Sequence, residues 1–254
     1  MRITYVGHAT VQLEASGARL LTDPVLRERV GHLRRIVPLD EPDGLRAPDA
    51  VVISHAHFDH LDVSSLRLLR ACPVIAPRGC ARQLARAGLR NVTEARPGQE
   101  VSVGKIELTP IEVAHDGRRH PFSRARQALA YVTRSPERVF FAGDTDLFDG
   151  MGELGGELDA ALLPVWGWGP RVGKGHMDPV RAARAVELMK PGIAIPIHWG
   201  TLASPRAPWL GDPERPARAF AERVAATTPS VEVRVLRPGE ATEMAAAARG
   251  SEAE

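Results

Sequence analysis

The stretch "VVISHAHFDHLD", residues 51–62, constrains this chain more than any other. A run of branched apolar residues leads directly to His55, His57, Asp59 and His60, four coordinating side chains within six positions. The run is short and uniformly apolar, as in a strand buried on both faces of an α/β sheet. In such sheets ligands gather beyond the carboxyl ends of strands. His55 and His57 are two apart, so an extended backbone projects both to one side. Asp59 and His60 fall where the chain turns towards a helix at Asp62, and can point at a second location. The chain has only nine histidines, and three of them lie here.

The same arrangement recurs downstream. "KIELTPIEVA" leads to His115, "RVFFAGD" to Asp144 and "IAIPIH" to His198, each an apolar strand-like run with a ligating residue at its end. Residues spread over about 140 positions can therefore converge on one rim. Imidazole nitrogen and carboxylate oxygen suit zinc and related first-row ions. Seven candidates (His55, His57, Asp59, His60, His115, Asp144, His198) exceed the needs of one catalytic ion. They suit two ions that share a bridging carboxylate, each keeping an open position for water or substrate.

Around these runs the chain alternates strands and helices. "ITYVG", "TVQLEA", "RLLTD", "PVIAP", "EVSV", "QALAYVTR" and "DAALLPV" read as further strands. Helices are predicted over 62–71, 79–87, the segment "DPVRAARAVELMK" with its Asp-Pro start, and 216–226. No linker divides the chain, so residues 1–243 are predicted to form one layered α/β domain, with 244–254 as a flexible tail. A length of 254 residues, 44% hydrophobic and 25% charged, is ordinary for a globular protein with a sizeable core. The net charge of +2 gives no footing for nucleic acid or an anionic membrane surface. Of the 33 basic residues only Lys105, Lys174 and Lys190 are lysine, which fits a GC-rich genome. The two cysteines, Cys72 and Cys80, have neither metal-type pairing nor disulfide-scaffold density and read as buried, inert thiols. The first residues carry no long apolar segment, so neither signal peptide nor membrane span is expected, and a cytoplasmic location is. Oligomeric state, including a homo-oligomer, is left open.

The "HAHFDH" stretch resembles the HxHxDH signature of the metallo-β-lactamase-fold hydrolases. The resemblance implies a four-layer αββα sandwich with a dinuclear metal site. It runs along nearly the whole chain, from "GHATVQLE" and "LLTDPV" through "FAGDT" to "GHMDPVRAA" and "IPIHWGT". These flanking motifs are similar to the branch containing ascorbate-phosphate lactonases and N-acylphosphatidylethanolamine-hydrolysing phospholipases D. By this resemblance His55, His57 and His115 hold one metal, Asp59, His60 and His198 the other, and Asp144 bridges. His120 is a second candidate for the third histidine; His115 is preferred because it directly follows the strand. Compared with the phospholipases, the chain lacks an N-terminal extension and an evident apolar segment to approach a bilayer, so a lipid substrate is disfavoured.

These readings lead to a metal-dependent hydrolase with two divalent ions, zinc first, with manganese or iron open. A hydroxide made available by the ions attacks an ester, lactone or phosphodiester of a small polar or phosphorylated metabolite. Asp59 serves as ligand and also orients the nucleophile. His176, left over in "GKGHMDP", acts as donor to the substrate or leaving group, or else caps a loop. Trp166 and Trp168 are pocket walls or core, and Arg171 and Lys174 meet a substrate anion or are solvated. His8 and Asp23 hold ligands in place, or satisfy turn and strand-end backbone. The alternatives at the level of function are a phospholipase-D-like phosphodiesterase and a non-catalytic metal-binding sensor. A nuclease is disfavoured by the near-neutral charge.

Overall fold

The computed structural model describes residues 1–39, 45, 47–118, 126–205 and 211–244. The first half of the chain gives β1 (Arg2–Gly7), β2 (Thr10–Ala15), β3 (Ala18–Thr22), β4 (Arg29–Val30), β5 (Leu33–Arg35), β6 (Ala50–Val52), α1 (Val63–Leu68), β7 (Val74–Pro77), α2 (Ala81–Arg86), β8 (Val92–Ala95) and β9 (Val101–Val103). The second gives β10 (Ile106–Glu112), β11 (Leu129–Arg134), β12 (Arg138–Phe141), a 3₁₀ turn at Asp149–Leu154, β13 (Ala160–Pro164), α3 (Pro179–Met189), β14 (Ile193–Ile197), β15 (Leu202–Ala203), α4 (Arg215–Thr227), β16 (Glu232–Val233) and β17 (Ala241–Glu243).

Two seven-stranded sheets carry the architecture, in the orders β17-β1-β2-β3-β6-β7-β8 and β9-β10-β11-β12-β13-β14-β16. Both follow one rule of direction. The first four strands of each are antiparallel, and from the fourth to the seventh the pairings are parallel. β3 and β12 are therefore equivalent, each standing where an antiparallel meander becomes a parallel run. A small sheet, β15-β5-β4, closes one end.

Side-chain alternation builds the layers. Ile3, Tyr5, Leu13, Leu20 and Val52 point into the core between the sheets with Phe141, Leu162 and Ile195. Their neighbours Val6, Leu21, Val51 and Ile53 point the other way and pack on Leu66, Leu69 and Leu84 of the α1 and α2 region. On the far side, Ala182, Val186 and Met189 of α3 and Phe220 and Val224 of α4 cover the second sheet. The order helix, sheet, sheet, helix is the αββα sandwich that the resemblance implied.

Local starts and stops follow the chemistry of the ends. Asp178 accepts from the Arg181 N–H with Pro179 in the first turn of α3. Asp62 accepts from the Ser65 N–H at the start of α1 and takes both arms of Arg27 at 2.8 Å; a cap of this kind is worth about 1 kcal/mol. α1 and α2 are shorter than expected, and α2 starts after Cys80, whose side chain makes no cap bond. β10 stops at Glu112, so His115 lies three residues beyond the strand rather than directly at its end. The strands β4, β5, β8, β15, β16 and β17 were not anticipated; with two to four residues each, they are too short to carry a period. Met244, first residue of the expected tail, is buried and donates its N–H to the Met1 carbonyl; the rest of that tail, and His120, lie outside the described residues. Cys72 and Cys80 are buried and are not joined in a disulfide. No helix among the described residues is long and apolar enough to cross a membrane.

Candidate metal centre

The residues that follow β3, β6, β12 and β14 meet at one edge of the sandwich, joined by the His115 loop. Gly143 makes the closest approach possible: its φ is +59°, and a β-carbon there would stand 2.5 Å from that of Ser54. Only glycine tolerates both conditions, so Asp144 is drawn against the strand end that carries His55. His8, Asp23 and His198 also have positive φ, at 58°, 34° and 62°. Such conformations are costly without glycine and collect where surrounding structure imposes them.

The orientation of each imidazole is set from behind. Asp23 accepts from the Ser54 N–H at 2.7 Å, from the Ser54 hydroxyl, and from His60 Nδ1 at 2.8 Å. With its hydroxyl proton given to Asp23, Ser54 accepts from His55 Nδ1 at 2.9 Å. His115 Nδ1 donates to the Gly175 carbonyl at 2.7 Å, and His198 Nδ1 to the Trp166 carbonyl at 3.1 Å. All four rings thus carry their proton on the outer nitrogen and present a bare Nε2 inward.

Those inward atoms form two groups. His55 Nε2 and His115 Nε2 stand 2.8 and 3.2 Å from His57 Nδ1, with Asp144 Oδ2 3.8 Å from His55. On the other side His60 Nε2 and His198 Nε2 are 3.1 Å apart, and Asp59 Oδ2 lies 3.8 and 4.0 Å from them. His8 Nε2 is 3.1 Å from the same Asp59 oxygen and joins this second group. Asp144 reaches across: Oδ2 is 3.1 Å from His60 and 3.2 Å from His176, and Oδ1 is 3.2 Å from His198. Asp144 Oδ1 is buried without a hydrogen-bond partner.

Lone pairs facing one another at 3 Å require a positive charge between them. Without a metal that charge must be protons. Burial opposes protonation of His60, yet Asp144, Asp59 and Asp23 together push its pKa well above the ordinary value. Burial drives His55 and His198 well below it, and lowers His115 to about 4. Burial disfavours the charged form of Asp59 and Asp144 too, but the surrounding imidazoles outweigh it and hold both carboxyls far below the usual range. His176 is raised to about 9, burial being overcome by Asp144. A buried donor set of nitrogen and carboxylate oxygen, with one orphaned oxygen, fits divalent cations of the zinc, manganese or iron class.

A cleft of about 640 Å³ opens over the groups. Its lining includes His57, Asp59, His115, Asp144, His176, Trp168 and Lys174 among the anticipated residues. Phe58, Asp116 and Arg118 also line it and were missed by sequence reasoning. Phe58 and Trp168 sandwich His32, at ring-centre distances of 5.4 and 5.1 Å, to make an aromatic wall. Opposite, Arg118 is tied to Asp116 at the rim. Two anticipated substrate residues stand elsewhere. Arg171 is exposed and outside the lining, and Trp166 packs on the core, its indole N–H bonded to the Gly169 carbonyl. Trp166 contributes its main chain, through the carbonyl that orients His198. His8 and Asp23 satisfy both readings at once: each sits in a strained turn, and each bonds a candidate ligand.

Comparison with known proteins agrees with this geometry. A family model described as the beta-lactamase superfamily domain matches residues 18–199. A UPF0173 metal-dependent hydrolase of Aeropyrum pernix is 34% identical over 259 residues, covering 95% of this chain and 97% of that protein. An uncharacterized protein of Mycobacterium tuberculosis is 31% identical over 240 residues, and the match spans 87% of this chain but 64% of that protein's length. Among solved structures, Igni18, a metallo hydrolase from Ignicoccus hospitalis, aligns with a TM-score of 0.72 at 22% identity, covering 96% of this chain and 99% of that one.

Proposed function

The chain belongs to the metallo-β-lactamase superfamily and is a metal-dependent hydrolase; we propose that it works with two divalent ions on an ester, lactone or phosphodiester of a small polar or phosphorylated metabolite. His55, His57 and His115 would hold one ion, and Asp59, His60 and His198 the other. Asp144 would serve both. The observation that carries this reading is the reach of the Asp144 carboxylate, one oxygen to His60 and the other to His198, with His55 at 3.8 Å. When bound, such ions supply Lewis acidity and make hydroxide available near neutral pH.

The remaining work falls to the chain's own residues. Asp59, its Oδ2 held by His8, keeps a carboxylate in the cleft that can accept a hydrogen bond from an attacking water and orient it. His176 has its ring partly exposed to the cleft, with Nε2 3.2 Å from Asp144 Oδ2, and in its protonated form can donate to the leaving oxygen. Trp168 and Phe58 supply a flat apolar face. Lys174 and Arg118 supply cations for a phosphate or carboxylate on the substrate. Zinc is the first choice of metal, and the branch similar to ascorbate-phosphate lactonases the first choice of chemistry.

The test is a substrate panel with metal-loaded protein, comparing phosphorylated lactones with bis-aryl phosphodiesters. Turnover of the lactones is expected. Turnover confined to the diesters would replace the lactonase reading with a phosphodiesterase. Inertness towards every class, with tight retention of a ligand, would replace catalysis with sensing.

A further inference from the structure

A second cleft, with a volume of about 710 Å³, shares no described lining residue with the cleft over the metal centre. Arg78, Arg82, Arg86 and Arg126 line it, together with Gln83 and Gln127. We propose that this cleft binds the diphosphate group of a small ligand, at a site separate from the metal centre.

The whole chain carries a net charge of +2, yet four guanidinium groups surround this one hollow. Arg82 and Arg86 are four apart on α2, where like charges repel along one helix face. Among the described residues, the side chains of Arg78, Arg82 and Arg86 have no carboxylate or hydrogen-bond partner. The nearby acid, Glu94, is occupied, with Oε1 accepting from the Gly79 and Ala81 N–H groups at 2.9 Å. Unpaired arginines gathered at this density cost stability by themselves, and a polyanion removes the cost.

Arg126 comes from a different part of the chain and is fixed by a 2.7 Å bond from its Nη1 to Gln83 Oε1. That bond orients its guanidinium, whose other N–H groups meet no further partner among the described residues. Planar forks arranged around a hollow match the oxygens of linked phosphates, each bound bidentately. Among the described residues the lining contains no aromatic side chain, so none of them gives a nucleobase a face to stack on. The chemistry recognised is therefore the diphosphate itself, whether free or carried by a nucleoside. A long RNA would need a basic stripe with stacking platforms, and the described surface here offers neither.

Gly117, between the cleft-lining Asp116 and Arg118 of the metal site, backs onto this hollow: a β-carbon there would lie 2.8 and 2.9 Å from the carbonyl oxygens of Arg126 and Gln127. From Gln127 the chain runs to Leu129, whose N–H bonds the Ser54 carbonyl beside His55. A ligand held by Arg126 thus presses on the same short segment that supports the metal site.

The experiment is calorimetric titration of the metal-loaded full chain with pyrophosphate, with ADP, and with a single-stranded RNA oligomer at about 0.15 M salt. Pyrophosphate bound at the metal cleft is common to wild type and variants, so the difference between them isolates the arginine cleft. Affinity for pyrophosphate and ADP is expected to fall about tenfold in the R82Q/R86Q double variant. R82K/R86K keeps the charge and loses the fork, and is expected to weaken binding severalfold, which keeps the test sound if the glutamines disturb α2. Equal affinity for the two probes assigns the source to the bare diphosphate, and tighter ADP assigns it to a nucleotide. Identical affinity in wild type and both double variants would overturn the proposal. So would RNA retained more tightly than pyrophosphate through the same arginines.

Discussion

Asp23 and Asp144 follow the fourth strand of their respective sheets, each at the point where antiparallel pairing gives way to parallel. Both are buried, and both lie against the histidine cluster. Yet one is finished and the other is not. Asp23 takes a backbone N–H, a hydroxyl and an imidazole N–H, so each of its oxygens is satisfied by the protein. Asp144 meets only ring nitrogens, and one oxygen has no hydrogen-bond partner at all. The same strand-end position is a brace in one sheet and, in the proposed reading, a ligand in the other. The difference teaches how to separate a carboxylate that supports a site from one that belongs to it: count what the chain itself donates.

Substitution is the most forceful way to break this comparison. Asp144→Ala should empty both ion positions and lower turnover about a thousandfold or more, by elemental analysis and kinetics. Asp23→Asn keeps the volume and one acceptor but loses the charge behind His60. It should weaken metal binding by about 10- to 100-fold while the protein stays folded. If Asp23→Asn proved as damaging as Asp144→Ala, brace and ligand would not be distinct. His176→Ala should leave the metal content unchanged and reduce kcat about a hundredfold; loss of an ion would move His176 into the ligand set.

The gentlest test is the pH dependence of the metal-free protein, read as melting temperature. His115 is half-buried and loss of solvation lowers its pKa to about 4, so between pH 6.5 and 4 the unfolded chain binds the extra proton and stability falls as pH falls. His176 is raised to about 9 by Asp144, so its stabilisation is present below pH 6.5 and is lost as pH rises towards 9. Together they predict a maximum near pH 6.5. Asp144→Ala should flatten the alkaline limb and leave the acid limb in place.

Much of this was legible in the sequence because burial and period leave marks there. Apolar runs ending in His55, Asp144 and His198 point to one rim, since strand ends converge in a layered α/β fold. The braces were less legible. Ser54 and Asp23 are 31 positions apart, and nothing in either segment reveals that one carboxylate orients His60 directly and His55 through a hydroxyl. Phe58 and Arg118 line the cleft by loop geometry, which has no period to read. The strand β17 was hidden for another reason: "ATE" is an edge strand with exposed polar residues, recognised only by its pairing with β1. Of the two readings of Trp166, wall or core, the packing matches the core, and its contact with the site is the main-chain carbonyl bonded to His198.

The central claim is that Asp144 joins two ion positions rather than completing one. The direct measurement is the number of zinc ions bound per chain at saturation, by equilibrium dialysis and elemental mass spectrometry. The account predicts two ions, with both affinities reduced together in Asp144→Ala. Saturation at a single ion per wild-type chain would contradict it.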